Sequence, residues 1–126
     1  MIGLVIVSHS ATAAEGICEV AAEMGGDAPI EPAGGDDGEI GTSADAIGEA
    51  IEAADDGDGV VVLVDLGSAV MNADLALEMT DVDAEIADAP ILEGAVNAAV
   101  EATSGKATLD SVVERAEEAR DYRKLS

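Results

Sequence analysis

The sequence predicts an α/β protein whose fold is a doubly wound three-layer sandwich around a parallel sheet. Two short apolar runs, Ile2 to Val7 and Val60 to Val64, are rich in β-branched residues and lack polar alternation. Such runs are typical of central parallel strands that are covered on both faces. Strand-like and helix-like segments alternate four times along the chain, which favours right-handed parallel crossovers in one sheet. We therefore expect residues 1–126 to form a single domain.

The first half of the chain is predicted to contain a central strand, an edge strand and two helices. After the first apolar run, glutamates recur every four residues opposite an apolar stripe, which indicates an amphipathic helix that ends at Gly25-Gly26. The next strand, Ala28 to Ala33, contains two prolines and therefore suits an edge of the sheet. A glycine-rich loop, Gly34 to Ser43, leads into a helix from about Ala44 to Ala54.

The second half adds the other central strand, a short strand and three helices. Asp65-Leu66-Gly67-Ser68 follows the strand Val60–Val64 and leads into a helix from about Ala69 to Met79. The remaining predicted elements are a short strand over Ala84 to Ala87, a helix from Pro90 or Ile91 to Ala102, and an amphipathic helix from Leu109 to about Tyr122. With the first strand central and the second at an edge, the expected strand order is 2-1-3-4.

The charge of the chain is strongly acidic and unevenly distributed. The net charge is −23, and all five basic residues lie after Gly105. This argues against nucleic acid and anionic membranes as partners. The sequence has no stretch long enough to span a bilayer and no basic signal-peptide region, so we expect a cytoplasmic protein. A surface of such acidity is used by halophiles, and high salt would screen its self-repulsion, so we also expect a halophilic origin.

Three loops bring polar residues to one edge of the predicted sheet, because the carboxyl ends of parallel strands meet there. These loops contain Ser8-His9-Ser10, Gly41-Thr42-Ser43 and Asp65 to Ser68, and each is followed by a helix whose first N–H groups favour anions. His9 is the only histidine and our candidate catalytic residue. The alternative is a histidine held by hydrogen bonds in an ordinary loop.

Asp65 is the acidic residue that we single out, because it ends a buried strand at the edge that carries His9. It has two candidate roles. It could cap the following helix, as aspartate commonly does. It could also accept a hydrogen bond from one imidazole nitrogen of His9 and so leave the other nitrogen free as a nucleophile.

Other motifs are excluded by their spacing. The Gly34–Ser43 loop is not a nucleotide-binding phosphate loop, because no lysine precedes Thr42. The Asp55–Gly59 turn has alanine where a calcium loop needs its first ligand. Zinc and hydrolase motifs are also missing, so we expect no metal site and no bound cofactor. The single cysteine, Cys18, is either a reactive thiol or a small core residue, and its place near the apolar face of a helix favours the core.

Four segments, in this order and spacing, carry a resemblance to a known family: Val5–Ser10, Ile40–Thr42, Val64–Ala69 and Ala89–Gly94. Over roughly residues 2 to 120 the chain resembles the phosphotransferase subunit of the phosphoenolpyruvate-dependent dihydroxyacetone kinase, whose domain is similar to enzyme IIA of the mannose family. The resemblance implies a doubly wound homodimer. Mannose-type relatives exchange a C-terminal strand on dimerising, whereas the tail after Gly105 is predicted here to be helical.

The resemblance also implies a function. His9 would accept a phosphoryl group from the histidine phosphocarrier protein and pass it to ADP on the nucleotide-binding subunit of the kinase. The ATP so formed would phosphorylate dihydroxyacetone on a third, dihydroxyacetone-binding subunit. In the family the reactive nitrogen is Nε2, which would leave Nδ1–H for Asp65 or a main-chain carbonyl. Longer members append further phosphocarrier and enzyme I domains, so we expect this chain to use separate donors.

A phosphohistidine carries about two negative charges that need stabilising, usually by Lys, Arg or a metal ion. This chain has no Lys or Arg before Lys106, so we expect backbone N–H groups and hydroxyls to support the phosphate and a partner to supply cations. The candidate phosphate-supporting residues are Ser10, Thr42, Gly67 and Ser68. A rival hypothesis is a flavodoxin-like sensing or protein-docking module in which His9 is only a contact residue.

Overall fold

A four-stranded, all-parallel sheet forms the centre of the protein in a computed structural model that describes residues 1–125. The strand order is β2-β1-β3-β4, as the sequence predicted. The strands are β1 (Gly3–Ser8), β2 (Ile30–Gly34), β3 (Val60–Val64) and β4 (Ala84–Ile86). The change of direction in strand order falls between β1 and β3, which is where open α/β sheets place their sites.

Helices cover both faces of the sheet and complete the predicted three-layer sandwich. They are α1 (Ala11–Gly25), α2 (Ala44–Ala54), α3 (Val70–Met79), α4 (Ile91–Ala102) and α5 (Leu109–Glu118), with 3₁₀ turns at Gly67–Ala69 and Ala119–Asp121. Helices α1, α4 and α5 form one core with the sheet, and α2 and α3 form the other. Successive β1 residues point to opposite faces, so Leu4 and Ile6 enter the first core while Val5 and Val7 enter the second.

Several element boundaries differ from the sequence prediction, and those of β1 and β4 shift by a single residue. Strand β2 begins at Ile30 rather than Ala28, because Pro29 has no N–H to donate and offers only its carbonyl to the N–H of Leu4. Helix α3 begins one residue later than predicted, after the 3₁₀ turn Gly67–Ala69. The last helix ends at Glu118 and continues as a 3₁₀ turn, so the tail after Gly105 is helical without reaching Tyr122.

The junction between β1 and α1 is packed tightly against the end of β2. A Cβ atom added at Gly34 would lie 2.6 Å from both the Ala11 Cα and the Ser10 carbonyl oxygen. Only glycine therefore fits at this position. The close approach places the start of α1 beside the loop that follows β2.

The basic residues near the C-terminus pair with acidic residues of the body. Arg120 lies 3.2 Å from Asp88, just beyond β4, and the Lys124 ammonium lies 2.7 Å from Glu93 on α4. Parallel strands end at one edge, so Asp88 and its Arg120 partner lie on the edge of the sheet that carries His9.

Within residues 1–125, no helix has both the length and the apolar composition needed to cross a membrane.

Candidate active site

The imidazole of His9 is held between two side chains from the loop after β3. Its Nδ1 lies 3.0 Å from Asp65 Oδ1, and its Nε2 lies 3.0 Å from Ser68 Oγ. An ionised carboxylate can only accept a hydrogen bond, so the partners assign the ring proton to Nδ1. With the single proton of a neutral ring on Nδ1, Nε2 has a free lone pair that can accept a hydrogen bond from the Ser68 hydroxyl. This is the protonation state that a nucleophilic Nε2 requires.

Asp65 binds the loop that contains His9 and does not cap the helix that follows. Its Oδ2 accepts hydrogen bonds from the Ser8 hydroxyl and from the backbone N–H of His9, both at 3.0 Å. Neither the 3₁₀ turn after Leu66 nor helix α3 has a side-chain cap at its start. Asp65 therefore makes the contact that orientation of the imidazole requires, and its part in catalysis stays a prediction.

Hydrogen bonds keep the Asp65 carboxyl ionised despite its partial burial. Burial alone would raise its pKa, but the His9 N–H, the His9 ring and the Ser8 hydroxyl outweigh burial and lower the pKa below its ordinary value. The carboxylate is consequently available as an acceptor, and as a counter-charge whenever the imidazole gains positive charge.

Ser8 is a site residue that sequence reasoning did not select. It is the last residue of β1 and is only 2% exposed, the one buried polar side chain among the described residues. Its hydroxyl donates to Asp65 and accepts from the N–H of Ser10 at 3.1 Å. A serine closing a wholly apolar strand was the available signal.

The loop after β2 is fastened to the backbone around His9. The N–H of Gly41 donates to the His9 carbonyl at 2.9 Å, and the N–H of Gly35 donates to the Ser8 carbonyl at 3.2 Å. Gly41 has φ 144°, a conformation that favours glycine. These bonds bring Thr42, one residue further on, to the same edge of the sheet as His9.

Among the predicted phosphate-supporting residues, the described structure gives only Ser68 a hydrogen bond to the His9 ring. Ser10 is the N-cap of α1, and its side-chain oxygen accepts from the N–H of Ala13. Gly67 opens the 3₁₀ turn that presents Ser68. Thr42 accepts from a residue that sequence reasoning missed, Asn72 on α3, whose amide nitrogen lies 2.8 Å from Thr42 Oγ1.

Within residues 1–125, no metal site is found at His9 and no Lys or Arg forms an ion pair or hydrogen bond with its ring. Residues 1–125 contain no group of three or more His, Cys, Asp or Glu side chains placed to hold a metal ion. Over the same residues, His9 pairs with Asp65, whereas Arg115, Arg120 and Lys124 pair with other carboxylates. The groups beside His9 that can hold an anion are therefore backbone N–H groups and hydroxyls.

Comparison with known proteins identifies the family to which this chain belongs. Residues 3–113 match the family model EIIA-man, described as PTS system fructose IIA component. A solved structure of a protein of unknown function, EF1359, superposes with a TM-score of 0.84 at 31% identity, covering 99% of this chain and 98% of that one. The chain therefore belongs to the EIIA-man family of phosphotransferase-system domains.

Two relatives define its branch of the family. The PTS-dependent dihydroxyacetone kinase phosphotransferase subunit DhaM of Lactococcus lactis is 40% identical, over 91% of this chain and 93% of the relative. The PEP-dependent dihydroxyacetone kinase phosphoryl donor subunit DhaM of Providencia stuartii is 41% identical, over 94% of this chain but only 27% of the relative. Within the EIIA-man family, this protein groups with the DhaM phosphotransferase subunits.

Proposed function

We propose that this protein is a phosphoryl carrier that accepts a phosphoryl group on Nε2 of His9 from the histidine phosphocarrier protein. It passes the group to ADP held on the nucleotide-binding subunit of a dihydroxyacetone kinase. The observation that carries this proposal is the pair of contacts to the imidazole, Asp65 at Nδ1 and Ser68 at Nε2. Together they support a ring that is oriented, with its proton on Nδ1 and Nε2 available as the nucleophile.

The first transfer forms one bond and breaks one. The Nε2 lone pair attacks the phosphorus atom of the donor's phosphohistidine, and the donor's P–N bond breaks as the new one forms. The Ser68 hydroxyl leaves Nε2 and donates instead to a phosphoryl oxygen. His9 becomes positively charged while keeping its Nδ1 proton, and the Asp65 carboxylate, 3.0 Å away, stabilises that charge.

The second transfer returns His9 to its starting state. A β-phosphate oxygen of ADP attacks the phosphorus, the Nε2–P bond breaks, and ATP leaves with the phosphoryl group. The electron pair of that bond returns to Nε2, so the ring is again neutral with its proton on Nδ1. No proton needs to enter or leave the site in either transfer.

The surface near His9 supports docking of partner proteins. Large apolar side chains are exposed on the loops after β2 and β3 and on the first turn of α3: Ile40 is 77% exposed, Leu66 is 57% exposed and Met71 is 80% exposed. Exposed apolar groups of this kind are typical of protein interfaces. Because the chain carries −23 and none of the ion pairs of Arg115, Arg120 and Lys124 within residues 1–125 involves a residue in contact with the imidazole, the Arg, Lys or Mg²⁺ that phosphoryl transfer needs comes from the partner. The homodimer, the cytoplasmic location and the halophilic origin remain proposals of the same kind.

Labelling tests the proposal. Incubation with phosphoenolpyruvate, enzyme I and the phosphocarrier protein should add one phosphoryl group to the wild-type chain, detected by mass. The label should be acid-labile and stable in base, unlike phosphoserine, and His9→Ala should abolish it without unfolding the protein. Labelled protein mixed with ADP and the nucleotide-binding subunit should then yield ATP. An acid-stable label, or a label that survives His9→Ala, would favour the sensing or docking module instead.

A further inference from the structure

Asn72 connects two of the loops that surround His9. It lies in the first turn of α3, just after the 3₁₀ turn that presents Ser68. Its side-chain nitrogen donates to the Thr42 carbonyl at 3.2 Å and to Thr42 Oγ1 at 2.8 Å. Ala69 at the end of that 3₁₀ turn and Ala73 in the helix are both fully buried, which anchors this part of the chain. One amide group therefore ties the loop after β2 to the start of α3, since Asn72 and Thr42 lie 30 residues apart in sequence.

The contact determines what the Thr42 hydroxyl can do. Thr42 Oγ1 accepts a hydrogen bond from Asn72, so its own proton cannot point at that nitrogen and is free to donate elsewhere. Thr42 follows Gly41, whose N–H binds the His9 carbonyl, and precedes Ser43, the N-cap of α2. The hydroxyl therefore has an unused proton and stands on a loop that is hydrogen-bonded to the backbone of His9.

The residue type at this position is informative. The chain has 28 acidic residues but only two asparagines, Asn72 and Asn97, and no glutamine. An aspartate at position 72 would have no N–H for the Thr42 carbonyl, and its carboxylate would attract the Thr42 hydroxyl proton to itself. It would also add a negative charge beside the phosphate. A neutral amide supplies the N–H that the Thr42 carbonyl accepts and adds no negative charge.

We propose that Asn72 is a positioning residue for phosphoryl transfer, which acts by holding the Thr42 hydroxyl as a hydrogen-bond donor to the phosphoryl group on His9. This inference rests on the proposed function of His9. It extends that function, because it assigns Asn72 to a site that sequence reasoning did not connect with α3.

Asn97 offers a matched control. It is partly buried like Asn72, and its side-chain nitrogen also donates to a backbone carbonyl and a hydroxyl, those of Arg115 and Tyr122. The first contact joins α4 to α5 and the second joins α4 to the residue after the last 3₁₀ turn. Neither contact involves the loops around His9. Asn97→Ala therefore removes the same kind of contact without touching Thr42.

The experiment measures the rate of His9 labelling by the phosphocarrier protein, the KM for that donor and the melting temperature. Asn72→Ala should lower kcat about tenfold, the low end for loss of a supporting hydrogen-bond partner, with KM unchanged. Asn72→Asp should lower it further. Asn97→Ala should leave kcat at the wild-type value even where it lowers the melting temperature.

A double-mutant cycle tests whether Asn72 acts through the Thr42 hydroxyl. Thr42→Val should slow labelling, Thr42→Ser should keep most of the rate, and adding Asn72→Ala to Thr42→Val should have no further effect. Wild-type labelling by Asn72→Ala, or full additivity of the two changes, would overturn the inference. Labelling that survives His9→Ala would instead refute the proposed function, so the two failures are distinguishable.

Discussion

Asp65→Asn should impair phosphoryl transfer more than Asp65→Ala, although asparagine is the closer substitute in shape. Two donors, the Ser8 hydroxyl and the His9 N–H, both point at Oδ2. The asparagine oxygen will take that position, because it is the only acceptor on the new side chain. The amide NH₂ then faces Nδ1 of His9 and can only donate to it. The ring proton must move to Nε2, so the nucleophilic nitrogen loses its lone pair.

The two substitutions should also differ in stability, in the opposite order. Asp65→Ala leaves the buried Ser8 hydroxyl and the His9 N–H without an acceptor, which should destabilise the fold by about 2 to 6 kcal/mol at about 1 to 3 kcal/mol for each unmade bond. Asp65→Asn keeps both hydrogen bonds and loses only the charge, so we expect it to lower the free energy of unfolding by about 1 kcal/mol. The rate should fall by about 10- to 100-fold in Asp65→Ala, whose imidazole can still adopt either tautomer. It should fall by about 10²- to 10⁴-fold in Asp65→Asn, as when a serine protease triad is forced into the wrong tautomer.

Three measurements decide the matter: the labelling rate, the free energy of unfolding in urea, and the ¹⁵N spectrum of the imidazole. The spectrum needs no assignment, because His9 is the only histidine. Asp55→Ala is the control, since Asp55 accepts from the N–H groups of Gly57 and Gly59 before β3, at the opposite edge of the sheet. It should cost stability and leave the rate unchanged. An Asp65→Asn variant that labels faster than Asp65→Ala, or that keeps its proton on Nδ1, would refute the reasoning.

Three further predictions concern pH, thiol chemistry and salt. The pKa of Asp65 is lower in the folded protein than in the unfolded chain. Its stabilising contribution is therefore complete above the unfolded pKa of about 3.9 and is lost as the pH falls through the folded pKa. The difference in free energy of unfolding between wild type and Asp65→Asn should consequently shrink in acid. Burial, with Glu31 and Glu15 nearby, raises the pKa of Cys18 to about 11, so iodoacetamide at neutral pH should alkylate it about a hundredfold more slowly than free cysteine, and equal rates would contradict this. The chain carries a net charge of −23, and the Debye length falls from about 10 to 3 Å between about 0.1 and 1 M KCl. The melting temperature should therefore rise over this range of salt. An unchanged melting temperature would remove the halophilic proposal.

Local sequence was sufficient for the fold and for the place of the site. Central and edge strands differ in composition, since Val60–Val64 is wholly apolar and β2 contains Pro32 with Pro29 just before it. These differences predicted the order β2-β1-β3-β4. The same local pattern predicted that His9 lies at a strand-to-helix turn, because a buried strand ends and a helix begins within a few residues.

Tertiary structure alone decided which side chains meet. Asp65 could equally have capped a helix, and the choice depended on the register of β3 against β1, which brings its carboxylate to the N–H of His9, 56 residues away. The selection of Ser68 over Ser10 as the partner of Nε2, and the bond from Asn72 to Thr42, likewise depend on how loops from different strands converge. Sequence periodicity reports only which residues share a face of their own element. Contacts between loops depend on long-range strand register and packing, which a local sequence pattern does not report.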